Sequence, residues 1–189
     1  MKVAELLFRL IPGPPNWRTS TLYTLASLSL KRIYIQEPPD VIVMPEFIAV
    51  LCDLLWQKTQ EGRPPKEWIA SLITLNGRDV YCHCEEGNLH DVQLLYIGAN
   101  QRQQVGYMMS IHTHPGQGPP SPQDLYATLS TGREYVHPVC NIVVAGPHTF
   151  LILRRLQNRE VIISIYYSTD RGTFRRLNSA DVQRICRAV

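Results

Sequence analysis

The chain has 189 residues, 44% of them hydrophobic and 19% charged, which suits a single soluble globular domain with a sizeable core. The net charge of +3 is mild, and no run interleaves aromatic with basic residues, so a nucleic-acid-binding role is not expected. The five cysteines (Cys52, Cys82, Cys84, Cys140 and Cys186) are odd in number and irregularly spaced, the usage of a reducing cytoplasm.

In "MKVAELLFRLIPGPP", Glu5 and Arg9 break the apolar run, so it reads as neither a signal peptide nor a membrane span. "LYTLASLSL" falls short of the roughly 18 residues that a span needs. Residues 1–40 therefore read as an N-terminal extension packing on the core, punctuated by "PGPPN" and "EPPD", with "KRIYIQ" strand-like. Residues 41–189 read as the main domain, ending in a helix.

"VIVM" predicts a short strand, and "PEFIAVLCDLLWQKTQ" a helix with Phe47, Val50, Leu51, Leu54 and Leu55 on its buried stripe. Pro45 suits the first helical position, and Glu46 complements the helix dipole. "KEWIASLITLNGRDVYCHCEE" reads as two strands joined at Asn76-Gly77, a pair suited to a tight hairpin turn. "DVQLLYIG" and "VGYMMSIHTH" predict further strands, the second apolar enough to be central. "SPQDLYATLSTG" predicts a short helix, followed by strands at "NIVVAG", "TFLILRRL" and "EVIISIYYS". "NSADVQRICRAV" predicts a closing helix capped by Asn178 or Ser179. Strands mixed with a few helices give an α/β class: one mixed β-sheet packed by helices.

The chemistry concentrates in "SIHTHPGQGPPSPQD". Residues two apart on a strand share a face, so His112 and His114 can converge on one point. Imidazoles and a carboxylate are zinc ligands, and Asp124, in the first turn of the helix, can be aimed back at the strand end. Three protein ligands leave one tetrahedral position open, and zinc lowers the pKa of a bound water from about 15.7 to about 7. Glu67, entering an apolar strand, is the candidate general acid/base, and Ser121 the candidate donor to an oxyanion. "SPQD" is also a good helix start, with Ser121 as N-cap, Pro122 at N1 and an acid at N3.

Glu67, "HTHP" (112–115) and "SPQD" (121–124) together resemble the signature of the JAMM (MPN-plus) zinc metallopeptidases: a glutamate, then His-x-His-Pro, then Ser-x-x-Asp. The likeness covers roughly residues 40–165, and "HPGQG" resembles the proteasome-lid deubiquitinase branch. It implies a curved mixed sheet between helices (an MPN/JAB-like, cytidine-deaminase-like layering) and one Zn2+ per chain held by His112, His114 and Asp124. It also implies isopeptidase activity toward conjugates of ubiquitin or a ubiquitin-like protein, with Glu67 as acid/base, and docking to a proteasome or other regulatory assembly. The expected location is cytoplasmic, away from membranes. The chain departs from the family in a His114–Ser121 spacer one residue shorter than in most members, and in Thr74 where a glycine is usual.

Other readings stand beside this one. A JAMM hydrolase acting on another amide, such as a sulfur-carrier protein's C-terminal adduct, would share the site. A non-catalytic MPN-type assembly module would lack the metal. "YCHCEEGNLH" offers Cys82, His83, Cys84 and His90 as a second zinc cluster, although a Cys-x-Cys without a second pair is usually packing. A zinc deaminase would need a Pro-Cys-x-x-Cys that is absent. His137 and His148 read as surface histidines near the site loops. Glu85, Glu86 and Asp91 form a local acidic cluster, a candidate contact for an arginine-bearing extended tail.

Overall fold

The computed structural model describes residues 39–75, 79–93, 105–129, 140–157 and 160–187. The expected strand "KRIYIQ", the Asn76-Gly77 turn and His137 lie outside these residues, as does all of "DVQLLYIG" after Gln93; Asp91, Val92 and Gln93 form no strand. The described chain runs β1 (Val41–Val43), α1 (Glu46–Glu61), β2 (Trp68–Leu75), β3 (Asp79–Glu86), β4 (Val105–Thr113) and α2 (Pro122–Leu129). It continues through β5 (Cys140–Ala145), β6 (His148–Gln157), β7 (Glu160–Ser168), β8 (Thr173–Arg176) and α3 (Ser179–Arg187).

The strands form one mixed sheet in the order β1-β8-β7-β6-β5-β4-β2-β3. All neighbours are antiparallel except β4 and β5, which run parallel from Met109↔Cys140 to Thr113↔Val144. A parallel pair needs a crossover, and the segment carrying α2 supplies it. The strand expected to be central, β4, is interior to the sheet, as is β2.

Alternation along β5 sorts the core into two layers. Ile142 and Val144 join Leu51, Cys52 and Leu55 of α1, with Leu72, Ile111, Leu151, Tyr166 and Phe174. Val143 and Ala145 face the other way with Phe150 and Ile152, and Leu125 of α2 packs against that cluster. The sheet is thus flanked by a helix on each face.

Two expectations about α1 need correcting. Its buried side is Phe47, Ile48, Leu51, Cys52, Leu55 and Thr59, whereas Val50 is exposed and Leu54 only partly buried. At about 100° per residue, Val50 lies on the far side from the middle of that face. Pro45 sits just before the first turn rather than in it, with extended backbone (φ −58°, ψ 143°), and its carbonyl accepts the Ile48 N–H at 2.9 Å.

β8 was not foreseen. Its four residues put Phe174 inside and Arg175 and Arg176 outside, too short a run for periodicity to register. Of the two candidate caps for the last helix, Asn178 is the one used: its Oδ1 accepts the Asp181 N–H at 2.9 Å. No helix among the described residues is long and apolar enough to cross a membrane.

Candidate metal centre

The centre lies where β4 ends on the α2 face of the sheet. His112 pairs with Ile69 of β2 and Val143 of β5, and Val143 belongs to the α2-side cluster. One residue past the strand, the His114 N–H continues the parallel ladder by donating to the Val144 carbonyl at 2.9 Å. Pleating therefore puts both imidazoles on one side, with their Nε2 atoms 3.1 Å apart. Thr113 between them points to the α1 layer, where its hydroxyl meets that of the fully buried Thr59 at 2.5 Å.

The same Thr113 oxygen accepts the Trp68 N–H at 3.0 Å, taking the place of a ladder bond beyond the Ile69↔His112 pair. This fixes the chain just after Glu67. The Glu67 backbone is held on its other side by Glu67 N–H to Asn88 O (2.7 Å) and Gly87 N–H to Glu67 O (2.9 Å). Glu67 is buried. Burial pushes its carboxyl pKa above the ordinary value; His112 and His114 pull it down, while Asp124 and Asp91 push it further up. A carboxyl raised in this way is suited to taking and returning protons.

Ser121, Pro122 and Asp124 occupy the expected N-cap, N1 and N3 positions of α2. The Asp124 N–H donates to Ser121 Oγ at 3.2 Å, and Asp124 Oδ2 accepts from the Ser121 N–H (2.6 Å) and hydroxyl (2.7 Å). The hydroxyl expected to face an oxyanion is thus turned to Asp124. The shortened spacer still delivers Asp124: its Oδ1 lies 3.0 Å from His112 Nε2, and its Oδ2 lies 3.3 Å from His114 Nε2. The left-handed residue in that spacer is Gln117 (φ 58°), not a glycine; a Cβ on Gly116 or Gly118 would meet nothing within 4 Å.

These separations can be set against a metal. Two ligand atoms on one tetrahedral zinc with bonds of about 2.0–2.1 Å lie about 3.3 Å apart; here the two Nε2 atoms lie 3.1 Å apart, and one Asp124 oxygen stands beside each of them, Oδ1 at 3.0 Å from His112 and Oδ2 at 3.3 Å from His114. Proton placement points the same way. His114 Nδ1 lies 3.1 Å from the Gly118 carbonyl, which can only accept, so Nδ1 carries the hydrogen and a neutral ring turns its Nε2 lone pair into the cluster. That lone pair and the Asp124 carboxylate are both acceptors, and a proton or a cation must lie between them.

The electrostatics reflect this. Burial alone would lower the His114 pKa, but the Asp124 hydrogen bond and charge, with Glu67, raise it. Burial would raise that of Asp124, but hydrogen bonds and charges from His112 and His114 hold it well below the carboxylate range. Among the described residues, these three form the group of His, Cys, Asp or Glu side chains able to hold a metal, all ligand atoms lying within 4.8 Å of one another.

The other candidates do not gather here. Glu85 pairs with Ile69, the residue opposite His112, and so lies on the same sheet face as the centre, whereas Glu86 points to the other face and pairs with Lys66. Asp91 is exposed in the loop after β3. Cys82 and Cys84 share a face with their sulfurs 3.7 Å apart; His83 points away toward Glu85 (3.7 Å), and His90 donates its backbone N–H to Asn88 Oδ1. His148 is exposed and hydrogen-bonded to the Tyr167 hydroxyl at 2.7 Å. Sequence reasoning missed Thr59, Thr113, Ser110, Asn141 and Thr128, buried polar groups around the centre. Asn141, polar in the otherwise apolar "CNIVVA", was the available signal.

Fold and site together define an α/β protein, a mixed sheet flanked by helices, with a His-His-Asp cluster fit for a divalent metal such as Zn2+. The chain matches no protein-family model and no curated protein sequence, so its likeness to the JAMM signature is carried by the motif residues themselves.

Proposed function

We propose that the protein is a zinc-dependent amide hydrolase of JAMM type, acting as an isopeptidase on conjugates of ubiquitin or a ubiquitin-like protein. The observation that carries this reading is the convergence of His112 Nε2, His114 Nε2 and the Asp124 carboxylate, whose ligand atoms lie within 4.8 Å of one another, with His114 Nδ1 held 3.1 Å from the Gly118 carbonyl. A bound Zn2+ supplies Lewis acidity, polarising a carbonyl and acidifying water at neutral pH.

The chain's own residues do the rest. His112, His114 and Asp124 would hold the ion. Glu67, its carboxyl raised by burial, takes a proton from the attacking water and returns it to the leaving amine. Ser121, whose hydroxyl donates to Asp124 Oδ2 here, would be the donor to the oxyanion. Glu85, on the face of the centre, contacts an arginine of the substrate's tail. The protein works in the cytoplasm, docked to a regulatory assembly such as the proteasome.

The test is metal analysis of the purified full chain, then incubation with linked ubiquitin and with small amide adducts. Expected are one zinc per chain, cleavage of a conjugate, and a loss of about 10²–10⁴-fold in Glu67→Gln with zinc retained. A chain that holds no zinc is an assembly module. A chain that holds zinc and cuts only small adducts is the other kind of JAMM hydrolase.

A further inference from the structure

Behind the centre, on the α2 face, a line of buried polar groups crosses from β4 through β5 to α2. Ser110, Asn141 and Thr128 are 0, 3 and 0% exposed. Ser110 and Asn141 are register partners on the two parallel strands, and the Ser110 hydroxyl donates to Asn141 Oδ1. Asn141 Nδ2 donates to Thr128 Oγ1 at 2.5 Å. Thr128 in turn donates its one hydroxyl proton to the backbone carbonyl of Asp124 at 2.7 Å. The line has a single direction, and it ends on the backbone of a proposed metal ligand.

Packing alone does not call for these groups. Every residue of β5 is buried, and the neighbours of Asn141 on this face, Val143 and Ala145, are apolar. An apolar side chain at 141 would avoid the cost of burying an amide, which is offset only when its hydrogen bonds are made. The helix, by contrast, needs an anchor. α2 has eight residues, too few to be stable alone. Leu125 is its residue packed against the apolar cluster, while Tyr126 is 72% exposed. Among the described side chains, Leu125 alone does not fix the rotation of so short a helix on the sheet. A directed bond at Thr128, one turn beyond Asp124, removes that freedom.

We infer that Asn141 and Thr128, steadied by Ser110, are positioning residues that fix the rotation of α2 and so hold Asp124 against His112 and His114. The inference rests on the metal reading above and concerns how tightly the ligand set is preorganised. Asn141 reads the helix through a hydroxyl, so the amide and the hydroxyl work as a unit. Reversing the amide would force Thr128 to donate to it and abandon Asp124.

The experiment compares full-length wild type, Thr128→Val, Thr128→Ser and Asn141→Leu. Zinc affinity is measured by chelator competition, and the ligand geometry by the visible spectrum of the Co2+-loaded protein. Thr128→Val and Asn141→Leu should weaken zinc binding by about 10–100-fold, the usual cost of losing a ligand's supporting partner, and should alter the Co2+ spectrum. Thr128→Ser keeps the hydroxyl and should match wild type in both. If Thr128→Val and Asn141→Leu lose thermal stability but keep wild-type affinity and spectrum, the line is structural only and the inference fails. Should either variant not fold, Thr128→Ala provides the milder test: it removes both hydroxyl bonds without adding a branched apolar side chain, and unchanged zinc affinity there also overturns the inference. A wild type that binds no zinc overturns the metal reading itself, an outcome distinct from variants that bind zinc as well as wild type.

Discussion

His112 Nε2 and Asp124 Oδ1 lie 3.0 Å apart, one on a sheet strand and the other in the first turn of a helix on that sheet's face. Both side chains are largely shielded from water, so the pair is held by the fold and not by chance encounter. A ligand that binds only the folded chain stabilises it by mass action, by about 2.7 kcal/mol at a hundredfold excess over its dissociation constant. Zinc should therefore raise the melting temperature of wild type in a concentration-dependent way. His112→Ala and Asp124→Ala should abolish that rise. An equal zinc shift in both variants places the metal elsewhere.

Thr113 carries two duties with one hydroxyl, accepting the Trp68 N–H and meeting Thr59. Thr113→Val leaves both partners without their bond, and Thr59→Val leaves the Trp68 bond intact. The first should cost about 1–3 kcal/mol in denaturant unfolding and the second less. The double variant should be more stable than the sum of the two costs implies, because the orphaned Thr59 hydroxyl is gone. Strict additivity would show that the hydroxyls do not act together.

The parts of this architecture that local rules control were legible in the sequence. Strand alternation put His112 and His114 on one face, and the cap pattern fixed Ser121, Pro122 and Asp124 at the start of α2. The rest depends on what packs against what. Glu67 reaches the centre because β2 pairs antiparallel with β4 at Ile69↔His112, a contact spanning over forty residues. Val50 was assigned to the buried stripe from its spacing alone, and the position of the sheet turned that side of α1 to water. Glu85 and Glu86 looked like a cluster because they are adjacent in the chain, although adjacency on a strand separates them. The Ser110–Asn141–Thr128 line joins three elements, and only Asn141 hinted at it.

The cysteines should differ widely in reactivity. Burial pushes the thiols of Cys52 and Cys140 up to about 12, so neither ionises near neutrality. Cys84 is partly exposed, and its hydrogen bond with Cys82 lowers its pKa and raises that of Cys82. Alkylation of the native protein near pH 8, mapped by peptide mass analysis, should modify Cys84 well before Cys52 or Cys140. Equal rates at Cys84 and Cys52 would contradict the burial of α1 against the sheet.

Asp170 shapes the turn between β7 and β8. Its Oδ1 accepts from the Ser168 hydroxyl (2.8 Å), the Gly172 N–H (2.9 Å) and the Thr173 N–H (2.6 Å). These bonds, the Thr173 N–H foremost, hold its carboxyl well below the ordinary range. A carboxyl whose pKa is lower folded than unfolded gives stability that is complete above the unfolded value, about 3.9, and drains away as pH falls toward the folded one. Asp170→Asn should therefore be less stable than wild type at pH 7, and the gap between them should close as the pH drops below about 4. The measurement is the melting temperature of both proteins across an acid series. A gap that stays constant down to pH 2 would mean the carboxylate's charge has no part in holding the turn.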